Sequence, residues 1–293
     1  MTSNKRYSVW ENQTVSESEL SNEIKLEISA LKGLDVFTSR HVMGVVKKTS
    51  KMCQKMKYPY EEMKKCVLAA YLHDVGKIKI PPEVLQKNGK LTNEEYDIIK
   101  KHTVFGYEIC MEYPNFRHLA SIVRAHHENL DGTGYPDGLK KSEIPEEAKL
   151  LKVADVFDAL TQKRQYKDGF KKSDALRMMK NDVKSGKMDK LYFSVLHEIV
   201  IDELKEEIQN EQYSIERHQN DLFTLRELEK IYKEIYDKGM NNKLEKKLAR
   251  YELPAGYDMS INANLLSSKK KTIERDIALR EFAMKELNLI SKI

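Results

Sequence analysis

An all-α fold is predicted by three observations along this 293-residue chain. Apolar residues recur at spacings of three and four through most of its length. Clean alternation over several residues is missing, so strands are minor at best. The periodic stretches also end at the residues that stop helices. From Val42 to Met56 apolar and basic residues follow amphipathic spacing. Tyr60 to Leu72 repeats the pattern with Met63, Val67 and Ala70 and runs into His73-Asp74, before Gly76 and Pro81-Pro82 end it. Asn88-Gly89 is a turn. Thr92 with Glu95 three residues on forms a capping box, opening a helix expected to carry His102. A further helix is expected from Phe116 to His127, stopped by a glycine-rich turn. Pro145 stands at the start of another, Glu146 to Thr161, which carries Asp155.

This pattern divides the chain into a polar segment, 1–20, a helical domain, 21–202, and a charged helical extension, 203–293. The extension alternates acids and bases, with Leu222, Leu225, Leu228, Ile231 and Ile235 at helical spacing. Gly239, Pro254 and Gly256 punctuate it, and a last helix is expected from Ser268 to Leu289. Helices of this kind either pack on the bundle as solvated struts or form a homodimer or partner surface.

Composition narrows the function classes. Hydrophobic residues make up 40% and charged residues 33%, enough for one full core beneath a strongly solvated surface. The 51 bases against 46 acids leave a net charge of +5, which favours a phosphorylated ligand but is no footprint for a nucleic-acid polymer. Cys53, Cys66 and Cys110 lack metal or disulfide spacing and read as free thiols of a reducing compartment. The first nineteen residues lack an apolar signal core, and no run approaches the roughly 18 apolar residues of a spanning helix. A cytoplasmic location without membrane contact is the expectation.

Chemistry concentrates in two short runs. His73-Asp74-Val75-Gly76-Lys77 places an imidazole, a carboxylate and an ammonium within one or two helical turns. His126-His127-Glu128-Asn129-Leu130-Asp131-Gly132-Thr133-Gly134-Tyr135-Pro136 places two imidazoles before a glycine turn that ends in an aromatic. Imidazole and carboxylate donors suit borderline divalent ions, and a closely spaced metal pair is a standard device for cleaving a phosphate ester. Asp74, with two oxygens, can bridge such a pair. Lys77, at i+3 from Asp74, lies on the same face if the helix continues, where it can neutralise a phosphate oxygen or protonate a departing alkoxide. His126 and His127 diverge by about 100° on an ideal helix, so both can ligate only from a last turn or toward different ions. His41, His102 and Asp155 are further candidates, although each taken singly is more often structural. His118, His197 and His218 read as ordinary histidines.

From about His41 to Phe170 the sequence resembles the HD-GYP domain, a branch of the HD superfamily of metal-dependent phosphohydrolases. The resemblance rests on Leu72-His73-Asp74-Val75-Gly76-Lys77-Ile78, the Leu91 to His102 stretch, and His126-His127-Glu128 with Asp131-Gly132-Thr133-Gly134-Tyr135-Pro136-Asp137-Gly138-Leu139. Ala154-Asp155-Val156-Phe157-Asp158-Ala159-Leu160-Thr161 and Arg164-Gln165-Tyr166-Lys167 complete it. It implies an HD-type helical bundle with His41, His73, Asp74, His102, His126, His127 and Asp155 as ligands of two divalent metal ions, Fe or Mn, with Asp74 the bridge. It assigns Lys77 to the scissile phosphate, and Gly134, Tyr135, Pro136, Arg164 and Lys167 to the substrate cleft. The implied reaction is hydrolysis of a cyclic dinucleotide, chiefly cyclic di-GMP, to the linear dinucleotide or GMP. Hydrolysis of another nucleotide or phosphoester, or dinucleotide binding without turnover, are the alternatives. Phe37 stands where some members place a third-metal glutamate, Met188-Asp189-Lys190 replaces a closing Phe-Asp-Pro, and Lys149 replaces an arginine.

Overall fold

The computed structural model describes residue 29 and residues 36–162, 168–251 and 259–293. The chain forms two compact units, Met1–Val200 with Ile293, and Ile201–Lys292. Among the described residues there is no strand, only an isolated antiparallel bridge between Asp131 and Lys140. No helix among them is long and apolar enough to cross a membrane.

The first unit is built around α7, Glu146–Thr161. Pro145 sets its entry, Glu146 and Glu147 occupy its positive first turn, and Gln162 leaves it in extended backbone. Ala148, Leu150, Leu151, Val153, Ala154 and Phe157 of this helix are buried. Against it pack α1 (Val36–Lys55), α2 (Tyr60–Leu72), α6 (Ala120–Ala125) and α8 (Lys172–Lys184). α5 (His102–Glu112) packs on α6 and on a 3-10 helix, Val75–Lys79, that directly follows the end of α2. Leu72, Leu119, Ile122, Leu176 and Met179 are fully enclosed, and Cys53, Cys66 and Cys110 are buried free thiols.

Two helices end earlier than their periodicity suggests. The Thr92 capping box is present, with Glu95 N–H bonded to the Thr92 hydroxyl at 3.3 Å and Thr92 N–H to the Glu95 carboxylate at 2.7 Å. The helix it opens, α4 (Asn93–Lys100), stops before Lys101, so His102 begins α5 instead of riding on α4. Likewise the stretch from Phe116 splits into a 3-10 turn, Arg117–Leu119, and the short α6, which ends at Ala125 with His126 as its C-cap. Neither break is marked by proline or glycine.

In the second unit, α9 (Lys190–Lys238) contributes the part beyond Val200, followed by α10 (Asn242–Leu248) and α11 (Met259–Ile290). α11 starts nine residues ahead of the expected Ser268. Asn241 caps α10 by accepting from Lys243 N–H and Leu244 N–H. Leu204, Ile215, Leu228, Ile231, Leu244, Ile273, Ala283 and Ile290 are buried apolar residues of this unit; most of its acids and bases are exposed, while Asp276 and Glu286 are buried.

Candidate metal centre

The helix ends and turns of the first unit aim their polar side chains into one buried volume. His73 is the C-cap of α2, and Asp74 steps into the 3-10 turn. With three residues per turn, that turn sets Lys77 over Asp74 better than a continued α-helix would. The Lys77 ammonium donates to Asp74 Oδ2 at 2.6 Å.

Four of the five imidazoles are held in a fixed orientation by Nδ1. His73 Nδ1 meets the Ala70 carbonyl at 2.8 Å, His102 Nδ1 the Ile99 carbonyl at 2.7 Å, and His126 Nδ1 the Val123 carbonyl at 2.6 Å. A carbonyl only accepts, so all three carry their proton on Nδ1 and present an Nε2 lone pair. His41 Nδ1 is oriented in the same way by the Asp158 carboxylate at 2.7 Å. Such outer partners are what fix metal-binding histidines.

The lone pairs collect in two groups. Donor atoms of His41, His73 and Asp155 lie within 4.8 Å of one another, and so do those of His102, His126 and His127. Asp74 stands between the groups. Its Oδ2 is 3.4 Å from His73 Nε2 and 3.9 Å from His41 Nε2, while its Oδ1 is 3.5 Å from His102 Nε2. Asp155 spans them in parallel, Oδ1 at 2.9 Å from His41 Nε2 and Oδ2 at 3.7 Å from His127 Nδ1. Because α6 ends at Ala125, His126 and His127 escape the divergence of a regular helix and bring their rings to 4.0 Å.

The electrostatics fit a cation. Burial alone would raise the Asp74 pKa, but the Lys77 ammonium and the His73 and His102 imidazoles hold it well below the usual carboxylate range. Burial also opposes ionisation of Asp155, and the hydrogen bond from His41 with the nearby His127 and His73 rings overrides it in the same direction. His41, enclosed but flanked by Asp155 and Asp158, is pushed up to about 10, so without a metal a proton sits where a cation would, and binding an ion there must displace it. Burial lowers His102 and His126 and takes His127 to about 3, so these rings stay neutral, the form that donates to a metal. His73 Nε2 is buried without a hydrogen-bond partner, a lone pair left for an ion to take up. The donor set, imidazole nitrogens with shared carboxylates, fits divalent transition ions.

The glycine-rich loop closes one side. The buried Glu128 carboxylate accepts from Asp137, Gly138 and Leu139 N–H at 2.7, 3.1 and 3.1 Å. Arg124 grips Asp137 with two bonds, 2.6 and 2.7 Å. From α7, Lys152 donates to the Glu128 carbonyl at 2.8 Å and to Asn129 Oδ1 at 2.7 Å, and burial lowers its pKa to about 8. Gly134 lies flat on this frame, since a Cβ there would stand 2.2 Å from Asn129 N. Tyr135 is thereby laid against the centre, its ring 4.8 Å from His127 and 6.4 Å from His102, with Pro136 half-buried behind it. Arg164 and Lys167 lie outside the described residues, as does the Phe37 side chain.

Three side chains that organise this centre carry no role in the sequence reading. Asp158 orients His41, Lys152 ties the loop to α7, and Glu128 gathers the loop backbone. The signal for the first two was the helical spacing, since both lie three residues from Asp155 on α7. Gly44, at i+3 from His41, belongs with Asp158: a Cβ at Gly44 would fall 1.9 Å from Asp158 Oδ1.

Residues 19–191 match the family described as HD domain, more than half of the chain. The chain belongs to the HD domain family. HD domains bind divalent metals, and the two His and Asp groups above are the candidate positions in this one. Similar proteins include the cyclic di-GMP phosphodiesterase response regulator RpfG of Xanthomonas campestris pv. campestris, 42% identical over 49% of this chain and 38% of its own length. A cyclic di-GMP phosphodiesterase of Thermotoga maritima is 39% identical, covering 49% of this chain and 39% of its own length. A 3'3'-cGAMP-specific phosphodiesterase of Vibrio cholerae is 32% identical, covering 55% and 37% respectively. The matched region is thus under two fifths of each relative.

Proposed function

We propose that this HD domain protein is a metal-dependent phosphodiesterase that hydrolyses cyclic dinucleotides, cyclic di-GMP first, to the linear dinucleotide or GMP. The observation that carries this reading is the convergence of the two donor groups on Asp74, one carboxylate oxygen facing each. In this proposal His41, His73, Asp74 and Asp155 hold one divalent ion, and Asp74, His102, His126 and His127 the other. The mixed imidazole and carboxylate set suits Fe or Mn. Ions held there would supply Lewis-acid charge and an activated water for in-line attack on phosphorus.

The chain's own groups do the rest. Lys77 is part-exposed beside Asp74 and can offset negative charge on the scissile phosphate. Burial, with the Tyr96 phenol and the Asp155 and Asp74 carboxylates nearby, raises the Tyr135 pKa, so its hydroxyl keeps its proton. Gly134 and Pro136 hold that ring in place, and Arg164 with Lys167 are assigned to the substrate cleft by the resemblance. The charged C-terminal helices are proposed to carry a homodimer or partner contact, which light scattering of the full chain would detect.

The test is turnover. Protein purified anaerobically and loaded with Fe or Mn should convert cyclic di-GMP to linear dinucleotide or GMP on chromatography. Persistence of the ring, with both ions bound, would overturn cyclic di-GMP as substrate. The similarity to the Vibrio protein makes the mixed GMP–AMP ring the second one to try.

A further inference from the structure

A cyclic dinucleotide has two phosphates and two bases, while the centre and Lys77 engage one phosphate. The remainder must be held by groups beside the centre. One cluster there, carried by α4, takes no part in the buried core. α4 has no buried residue, being held by its capping box and by Lys87 on Glu95 at 2.6 Å. On it, Tyr96 is 48% exposed, an aromatic ring that contributes nothing to the core. One turn on, the Lys100 ammonium lies 5.2 Å from the Tyr96 ring centre and 5.9 Å from that of Tyr135. The Tyr96 hydroxyl meets that of Tyr135, and Tyr135 in turn lies against His127. Lys100 also pairs with Asp97 at 2.5 Å, but Asp97 is an exposed neighbour on the same helix, and such surface pairs contribute little.

We infer that Tyr96, Lys100 and Tyr135 form a second subsite of the substrate cleft, with the two rings taking a nucleobase and Lys100 the phosphate that is not being cleaved. This rests on the cyclic dinucleotide reading and extends it to residues of α4. The chemistry is matched. Bases stack on aromatic faces without regard to sequence. The ammonium that lies over both rings can swing aside on its flexible stem when a base takes the ring face, and meet a phosphate oxygen of the same nucleotide. The rings reach the metal centre through His127, so one ligand can touch both sites.

The test compares two substrates in metal-loaded full-length protein. Bis(p-nitrophenyl) phosphate has a single phosphate and no base, so it reads the centre alone. In Tyr96→Ala and Lys100→Gln, kcat/KM for cyclic di-GMP divided by kcat/KM for this small diester should fall about tenfold, the scale of one lost base stack. An unchanged ratio in both variants would overturn the subsite. Calorimetry of cyclic di-GMP on chelated protein gives the second readout, with Kd rising about tenfold in Tyr96→Ala. If the wild type cleaves the small diester but not cyclic di-GMP, the catalytic reading fails and the Kd comparison alone decides the subsite. If the wild type does not bind cyclic di-GMP either, the subsite falls too.

Discussion

Both units of this chain bury a carboxylate beside a histidine, and they do so to opposite ends. In the second unit Asp276 is 1% exposed, 3.6 Å from His218 Nδ1. Its oxygens are already used: the Ser214 hydroxyl donates to Oδ2 at 2.8 Å and the Arg275 guanidinium to Oδ1 at 2.8 Å. In the first unit His73, His102 and His126 spend Nδ1 on a local carbonyl, which leaves Nε2 of His73 and His102 facing Asp74 and Nε2 of His126 facing that of His102. A buried His–Asp pair is therefore no metal signature by itself. Convergence of oriented imidazole nitrogens from two groups on one carboxylate, as on Asp74, is.

The sharpest break of this contrast is Asp74→Ala. Both donor groups lose their common carboxylate, so bound metal should fall to background and turnover below detection, as read by elemental analysis and product chromatography. Retained metal with normal turnover would place the centre elsewhere. Lys77→Ala should keep its metal yet lower kcat by about 10²–10³-fold, the cost of one lost electrostatic donor. An unchanged single-turnover rate would remove Lys77 from the chemistry.

Asp158→Asn should act through His41. Weakening that outer partner is expected to cost about 10–100-fold in metal affinity. Gly44→Ala, which crowds the Asp158 carboxylate, should shift metal affinity in the same direction. Equal affinities in wild type and both variants would show that His41 needs no orienting. The smallest effect on activity is predicted for Asp276→Ala, which should leave metal content and kcat alone. Loss of the acceptor for Ser214 and Arg275 should instead lower stability by about 1–3 kcal/mol in urea unfolding. A drop in bound metal in that variant would erase the distinction between the two units.

The helices around the centre were legible because their apolar period is regular and their caps are local. Thr92 with Glu95, and Pro145 before Glu146, mark real starts. The breaks at Lys101 and after Ala125 were not, because ordinary residues without proline or glycine occupy them. Those breaks decide the site. The first lets His102 start its own helix, and the second lets His126 and His127 join one donor group despite their adjacency. Asp158 and Lys152 were marked only by their three-residue spacing from Asp155, since a residue that orients another has no motif of its own.

The most direct test is a Mn²⁺ titration of metal-free wild type beside Asp74→Ala and Asp276→Ala, followed by calorimetry. About two ions per chain in the wild type and in Asp276→Ala, with tight binding lost in Asp74→Ala, is the expected result. The same stoichiometry and affinity in all three proteins would contradict the centre described above.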